Sequence, residues 1–252
     1  MNSERKAALA KVPAVTLGFW IIKILATTLG ETGGDALSMT YDFGYLASSA
    51  IFVVPMVLLI AAQIRADRFN PWLYWATIIA STTAGTTMAD FATRDLGIGY
   101  PGGSLLLLAA VLACLIAWYR TLGSIDVGTV SSPRTEAFYW ATITFSQTLG
   151  TALGDWVADS GPGYLGGALI FGAALAIVAL LWFRSGISKA VLFWAAFILT
   201  RPLGATVGDF LDKPLDHGGL DLSRPLASLA LGVAIAVLVW ALPQRAGEHP
   251  AN

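Results

Sequence analysis

The feature that most constrains this chain is a spaced set of tryptophan, glycine and aspartate that occurs four times. In each copy the glycine lies ten residues after the tryptophan, and the aspartate lies five residues after the glycine. The copies are Trp20-Gly30-Asp35, Trp75-Gly85-Asp90, Trp140-Gly150-Asp155 and Trp194-Gly204-Asp209. Such recurrence indicates an internal repeat, and each copy places an acid inside an apolar segment. We therefore expect the function to depend on these segments.

The composition predicts an all-α, polytopic membrane protein. Hydrophobic residues make up 56% of the chain and charged residues only 12%, whereas about 25% of a typical soluble domain is charged. Apolar runs close to the length of a bilayer crossing recur along the chain. The predicted crossings are residues 14–35, 44–63, 72–91, 102–119, 137–157, 164–183, 190–210 and 225–242. The expected partner is the lipid bilayer, and nothing suggests nucleic acid.

Each repeat holds two predicted helices, of which the first carries the motif and the second is plainly hydrophobic. We expect one transmembrane domain over residues 1–252, with repeats at approximately 12–63, 70–119, 135–184 and 189–243. Two crossings bring the chain back to its starting side, so all repeats have the same orientation. Parallel repeats of this kind are usually related by an axis along the membrane normal. The sequence thus predicts eight transmembrane helices with this pseudo-symmetry.

The charge distribution predicts the orientation in the membrane. The termini and the loops between repeats hold ten basic residues, whereas the connections on the opposite side hold three, which are Arg94, Lys213 and Arg224. Since basic residues favour the cytoplasmic side, both termini are expected in the cytoplasm. We accordingly expect a multi-pass protein that is located in the inner membrane of a bacterium.

Small residues follow each motif glycine at a distance of four positions: Gly34, Ala89, Gly154 and Gly208. Such pairs let helix backbones approach closely where lipid gives no hydrophobic drive between helices. We therefore predict that the four first helices pack together near the centre and the second helices form an outer ring. The motif tryptophans are expected at the cytoplasmic interface, where an amphipathic ring is favoured.

A polar stripe runs along each first helix. The positions three before, one after and five after the motif glycine share one helix face. These positions hold Thr27, Glu31 and Asp35 in repeat one, Thr82, Thr86 and Asp90 in repeat two, Gln147, Thr151 and Asp155 in repeat three, and Arg201, Ala205 and Asp209 in repeat four. An oxygen-rich face cannot contact lipid, so the stripe is predicted to point inward, in the middle to outer part of the membrane.

The copies are unequal at the positions where charge is most costly. The acid Glu31 has no charged equivalent in the other repeats, and neither has Arg201 of the fourth repeat. Such breaks in the symmetry are typical of a specialised site. An alternative is that the four motif aspartates only organise the outer loops, as part of a scaffold. Lys23, about two turns before Glu31, is expected either to extend toward the cytoplasm or to pair with an acid.

The oxygen-rich stripe favours a hard cation as ligand, because it offers carboxylate, hydroxyl and amide oxygens without thiolate or imidazole. Five acids against Lys23 and Arg201 give an expected intramembrane charge of −3. The candidate metal or ion ligands are Glu31, Asp35, Asp90, Asp155 and Asp209. Thr27, Thr86, Gln147, Thr151 and Arg201 are expected to complete the binding site. No cofactor is expected apart from a bound divalent cation.

The segment Thr27-Thr28-Leu29-Gly30-Glu31-Thr32 with Asp35, together with the later motif copies, resembles a bacterial membrane-protein family catalogued as a repeat of unknown function. That family has four tandem repeats, each of two transmembrane segments with a characteristic tryptophan. The resemblance covers approximately residues 12–243. It implies the architecture and brings no chemistry with it.

The leading functional hypothesis is a secondary transporter or uniporter for a small cation, with a divalent metal such as Mn²⁺ as the first choice. A second hypothesis is a transporter of an organic cation or another polar metabolite, with Phe91 and Trp156 beside the path. A third is a structural or sensory membrane protein, and a homo-oligomer is possible in each case. An enzyme is not expected, because the sequence has no histidine cluster and the paired acids Glu31 and Asp35 alone are weak support for catalysis.

Overall fold

The computed structural model describes residues 11–247 and contains eight long helices, two in each repeat. The helices are α1 (Leu17–Asp35), α2 (Gly44–Arg65), α3 (Pro71–Asp90), α4 (Gly99–Leu122), α5 (Pro133–Asp159), α6 (Gly163–Arg184), α7 (Lys189–Asp212) and α8 (Arg224–Ala241). This confirms the predicted all-α architecture of eight helices in four repeats.

Five of the eight helices are long and apolar enough to cross a membrane, namely α2, α4, α6, α7 and α8. The other three, α1, α3 and α5, have 19, 20 and 27 residues. At about 1.5 Å per residue, even the shortest of them is close to the ~30 Å thickness of the hydrocarbon core. These three helices are less apolar because each carries a polar stripe, and the structure buries that stripe among the other helices.

The four motif helices form a closed central ring in the order α1, α3, α5, α7, with α7 returning to α1. The second helices lie outside this ring, as predicted. Each of them packs mainly on the motif helix of the following repeat, so that α2 contacts α3, α4 contacts α5 and α6 contacts α7, while α8 closes the circle against α1. Every repeat is therefore held by its neighbour on both sides.

The motif glycines explain why the ring is so closely packed. Each lies against the residue three positions before the motif glycine of the next repeat in the ring. The contacts are Gly30 with Thr82, Gly85 with Gln147, Gly150 with Arg201 and Gly204 with Thr27. A Cβ atom on Gly85 would lie only 3.0 Å from backbone atoms of the neighbouring helix. The glycines thus confirm the predicted role of small residues in close helix packing.

The motif tryptophans lie near the start of each motif helix and pack on aromatic side chains of the neighbouring helices, and Trp20 is the one of the four that is only partly buried. Trp75, Trp140 and Trp194 are each only 2% exposed. Each motif tryptophan contacts the aromatic side chain that precedes the motif tryptophan of the repeat before it in the ring. The ring centroids are 5.5 Å apart for Phe19–Trp75, 5.8 Å for Tyr74–Trp140, 6.0 Å for Tyr139–Trp194 and 5.6 Å for Phe193–Trp20. These eight residues form the aromatic layer, which fills one end of the ring.

The two ends of the ring are built differently. At the end with the tryptophans, the Trp end, the side chains of Thr16, Asn70 and Ser132 each accept a hydrogen bond from the first turn of α1, α3 and α5. At the end with the motif aspartates, the Asp end, α1 and α3 continue into π-helical turns at Ala36–Thr40 and Phe91–Asp95. Such π turns frequently occur at functional sites.

Candidate functional site

The polar stripes of the four motif helices meet inside the central ring and form a polar column, as predicted. Each of the ten predicted site residues is buried, with at most 4% of its surface exposed. They are Thr27, Glu31, Asp35, Thr86, Asp90, Gln147, Thr151, Asp155, Arg201 and Asp209. The column begins at the aromatic layer and ends at the motif aspartates.

At the middle of the column Arg201 binds Glu31. Both guanidinium nitrogens Nη1 and Nη2 lie 3.0 Å from Glu31 Oε2. Arg201 Nη2 also donates to the hydroxyls of Thr86 and Thr151, at 2.5 Å each. Glu31, Thr86 and Thr151 occupy the same motif position in three repeats, so the ring directs all three toward the one arginine. The two residues that break the repeat symmetry are therefore partners of each other.

Lys213 joins the first and fourth repeats at the Asp end. Its ammonium lies 2.5 Å from Asp35 Oδ2 and 2.9 Å from Asp209 Oδ1. We name these three residues the Lys213 clamp. Burial lowers the pKa of Lys213, but the carboxylates of Asp209, Asp35 and Asp212 outweigh this effect and hold the pKa well above its usual value. Lys213 therefore stays charged at physiological pH.

Arg94 joins the second and third repeats in the same way. Its Nε lies 3.1 Å from Asp90 Oδ1, and its Nη2 lies 2.8 Å from Asp155 Oδ2. We name these three residues the Arg94 clamp. Nη1 additionally donates to the hydroxyl of Tyr45 at 3.1 Å. All four motif aspartates are thus bound to a cation from the segment that follows a motif helix.

Sequence reasoning missed both clamp cations, because it placed Arg94 and Lys213 in the outer connections. The signal was present, since each lies four residues after a motif aspartate and so on the same helix face. Their inclusion corrects the expected charge of −3. By formal charge, the five acids of the column stand against four basic residues, which are Lys23, Arg94, Arg201 and Lys213. This leaves −1, and the neighbouring Asp212 and Arg224 cancel.

Three of the predicted ligands come together in a compact acid cluster. One carboxylate oxygen each from Glu31, Asp35 and Asp209 lies within 4.8 Å of the others, and all three residues are buried. Asp35 Oδ1 has no hydrogen-bond partner among the residues that the structure describes. Asp90 and Asp155 are not part of this cluster. The acid cluster offers the hard oxygen donors that small cations prefer.

The remaining predicted residues line the column on the side of the Trp end. The Thr27 hydroxyl donates to the backbone oxygen of Thr200 at 3.1 Å. Neither amide atom of Gln147 has a partner within the described part of the chain. Contrary to both expectations, Lys23 does not extend toward the interface and pairs with no acid among residues 11–247. It is fully buried, because its position in α1 points into the ring.

The fold and this site define a polytopic helical membrane protein with four tandem repeats around a polar centre. The chain belongs to the family DUF347, Repeat of Unknown Function, whose pattern matches residues 18–69, 73–124, 138–188 and 192–245. The resemblance expected from the motif is thereby confirmed. No curated protein and no solved structure gives a significant match to the chain.

Proposed function

We propose that this protein transports a small cation across the membrane and that the acid cluster is its binding site. The observation that carries this proposal is the convergence of Glu31, Asp35 and Asp209, with ligand oxygens within 4.8 Å of one another inside the ring. Carboxylates buried among transmembrane helices are costly, and such residues commonly mark an ion pathway.

The size of the cluster favours an inorganic ion or a proton over an organic cation. Oxygens that lie within 4.8 Å of one another can surround an ion directly, since cation–oxygen ligand distances are about 2.0–2.6 Å. An organic cation would have to separate these helices. Phe91 and Trp156, which the organic-cation hypothesis places beside the path, are not among the ligands of the cluster. Transport of an organic cation or polar metabolite remains the alternative.

Lys213 occupies the position that a bound cation would take. Its ammonium touches both Asp35 and Asp209, which are also two of the three cluster residues. Binding of a cation therefore requires the lysine side chain to move away toward the Asp end. Lysine suits such an exchange, because its ammonium is a point charge on a flexible stem. The movement of Lys213 would then open the site to one side of the membrane.

The described conformation corresponds to a closed state of this transporter. At the Trp end the aromatic layer blocks the ring, and the hydroxyls of Tyr74 and Tyr139 are hydrogen-bonded at 2.6 Å. At the Asp end the two clamps cover the column. Alternating access requires these ends to open in turn. On the charge distribution of the loops, we assign the Trp end to the cytoplasmic side of a bacterial inner membrane.

The charge around the cluster bears on the choice of ion. Once Lys213 has moved away, Glu31, Asp35 and Asp209 stand against Arg201 alone, which leaves a formal charge of −2. A divalent ion neutralises this charge, whereas a monovalent cation leaves −1. A divalent metal, with Mn²⁺ as the first choice, is therefore the leading substrate.

The proposal is tested by cation flux into proteoliposomes that contain the purified protein. We expect Glu31→Gln and Asp209→Asn to abolish uptake of Mn²⁺, because each removes one charged ligand from the cluster. Asp155→Asn is the matched control, since Asp155 occupies the same motif position as Asp209 but binds Arg94. It should retain uptake. A panel of Mn²⁺, Mg²⁺, Ca²⁺, Na⁺ and choline identifies the substrate class.

The outcomes separate transport from a purely structural role. Equal uptake by the wild type and the Glu31→Gln and Asp209→Asn variants contradicts the proposal. Loss of folding in all three variants, with no flux of any tested cation through the wild type, supports the scaffold hypothesis instead. Competition of choline with Mn²⁺ at the wild-type site favours the organic-cation alternative.

A further inference from the structure

An open groove runs along the outside of the ring where the fourth repeat meets the first. Its walls belong to α1 and α6, and its floor belongs to α7. The volume of the groove is about 460 Å³, which lies within the range of about 300–1,000 Å³ that is usual for ligand pockets. Apart from Thr200, all the residues that line it are hydrophobic. The groove is separate from the acid cluster inside the ring.

The repeat shows that this groove is a local departure from the symmetry of the ring. The position two residues after the motif tryptophan holds Ile22, Thr77 and Thr142 in the first three repeats, and all three are fully buried. Its equivalent in the fourth repeat, Ala196, stays partly exposed on the floor of the groove. On the wall beside it, Trp20 is the one motif tryptophan that is only partly buried. The single opening between α1 and α6 accounts for both exceptions.

The dimensions of the groove match one acyl chain of a lipid. The lining residues lie within residues 175–183 of α6 and 192–200 of α7. Eight residue steps along a helix are about 12 Å, and one leaflet is about 15 Å, half of the hydrocarbon core. The groove therefore covers most of the leaflet at the Trp end. Large side chains such as Trp20 and Trp182 form its walls, whereas helix–helix contacts in membranes favour small residues.

The mouth of the groove at the Trp end is basic. Helix α6 ends at Arg184 and α7 begins at Lys189, and both side chains are exposed. The Lys189 ammonium lies 4.9 Å from the centroid of the Trp182 ring, which lines the groove. No acidic residue occurs in residues 160–208 or in the first turn of α1. An anionic group is therefore the complementary ligand at this mouth.

We propose that the groove binds an anionic phospholipid. One acyl chain lies on α7 between α1 and α6, and the phosphate binds Lys189 and Arg184. Basic sites beside transmembrane helices bind anionic lipid headgroups in this way. Lys189 donates to the backbone oxygen of Trp182, and its flexible stem lets the ammonium turn from there to a phosphate.

The position of the groove gives the lipid a structural effect on the centre of the ring. Helices α1 and α7 come from opposite ends of the chain, and their contact closes the ring. Directly behind the floor of the groove, the Thr27 hydroxyl donates to the backbone oxygen of Thr200 at 3.1 Å. The next residue, Arg201, binds Glu31. A lipid chain in the groove packs against this seam and so stabilises the closed ring.

The headgroup part of the proposal is tested by native mass spectrometry and thermal melting of the detergent-solubilised full chain. The probe is palmitoyl-oleoyl phosphatidylglycerol, and phosphatidylcholine with the same chains is the neutral comparison. The wild type should retain one phosphatidylglycerol and melt at a higher temperature with it than with phosphatidylcholine. Arg184→Gln combined with Lys189→Gln should weaken phosphatidylglycerol binding by roughly 25-fold, the effect of two basic residues at an anionic lipid.

The matched control for these charges is Arg65→Gln combined with Arg68→Gln. Both arginines are exposed in the equivalent connection between the first two repeats. This variant loses the same two charges and should bind phosphatidylglycerol as the wild type does.

The acyl-chain part is tested by Ala196→Phe, which fills the floor of the groove. This variant should no longer retain phosphatidylglycerol. Its control is Ala109→Phe, which adds the same side chain at an exposed position of α4 away from the groove and should bind as the wild type does. Because Arg184 and Lys189 are exposed, the charge variant still tests the proposal if Ala196→Phe fails to fold.

The outcomes that overturn the proposal are distinct. Equal binding of the two lipids by the wild type, or unchanged phosphatidylglycerol binding by the charge variant, overturns the anionic headgroup. Retention of phosphatidylglycerol by folded Ala196→Phe overturns the placement of the chain. A wild-type dimer that Ala196→Phe converts to a monomer assigns the groove to a second copy of the chain instead. None of these measurements depends on cation transport, so the two proposals fail separately.

Discussion

The Arg94 clamp and the Lys213 clamp are built on the same plan but have different neighbours. Each cation lies nine residues after a motif glycine, pairs with its own aspartate one turn back and crosses to the aspartate of the next repeat in the ring. Around Arg94, the rings of Tyr45 and Tyr100 lie 5.7 and 6.0 Å from the guanidinium carbon. Beside the Lys213 clamp lies the carboxylate of Glu31.

This difference suggests how one motif serves two purposes. The planar guanidinium of Arg94 binds two carboxylates and a tyrosine hydroxyl in a fixed geometry, so we interpret the Arg94 clamp as structural. Lys213 holds Asp35 and Asp209 with a single ammonium, next to a third carboxylate and the unpartnered Asp35 Oδ1. The Lys213 clamp is therefore the one suited to exchange its cation for a transported ion.

The largest effect is expected from Lys213→Met, which leaves Asp209 buried without its ion-pair partner and Asp35 with only the Arg224 guanidinium, 4.0 Å away. Removal of one partner of a buried ion pair costs about 3–5 kcal/mol. Because a bound cation can replace the ammonium, Mn²⁺ should restore much of the lost thermal stability and bind more tightly than to the wild type. Melting temperatures with and without Mn²⁺ measure both effects. Equal destabilisation in the two conditions would contradict exchange at this clamp.

A smaller loss is expected from Arg94→Met, about 2 kcal/mol. The reason is that the Arg94 side chain is 34% exposed, and solvent reduces the cost of breaking an ion pair. No cation in the panel should restore its stability, since Asp90 and Asp155 lack the third carboxylate. The same melting measurements apply. A specific rescue of Arg94→Met by Mn²⁺ would show that the two clamps are equivalent.

The smallest effect is expected when both partners of a contact are removed. Arg94→Met combined with Asp155→Asn should be less destabilised than Arg94→Met alone, by about 1 kcal/mol, because one unpaired charge is gone. The matched pair is Lys213→Met combined with Asp209→Asn, which should recover stability but lose the response to Mn²⁺. Melting curves of the single and double variants are compared. If a double variant is less stable than its parent single variant, the loss of stability does not come from the unpaired aspartate.

The fold followed closely from the sequence, because its determinants are local and repeated. The apolar segments predicted eight helices, and the glycine pairs predicted that α1, α3, α5 and α7 pack at the centre. The inward direction of the polar stripe was also predictable, since lipid does not tolerate it. The aromatic layer was not predicted, because nothing in a single helix shows that the next repeat supplies an aromatic partner for each motif tryptophan.

Most residues of the site were predicted from the sequence, but the ion pairs between them were not. Glu31 and Arg201 stood out as breaks in the repeat, yet their direct pairing depends on the ring closing from α7 back to α1. Arg94 and Lys213 were assigned to loops, although their spacing from the motif aspartates placed them on the same helix face. The grouping of Asp35 and Asp209 with Glu31, apart from Asp90 and Asp155, had no signal in the sequence.

The sequence by itself determined the membrane class, the repeat, the helices and the residues that face inward, because periodicity and hydropathy act along one chain segment at a time. Only the tertiary structure decided which charges meet. Four nearly equal helices offer each aspartate several partners, and the order of the closed ring selects one for each. That selection separates a structural clamp from an exchangeable one, and it leaves Lys23 buried without a counter-ion.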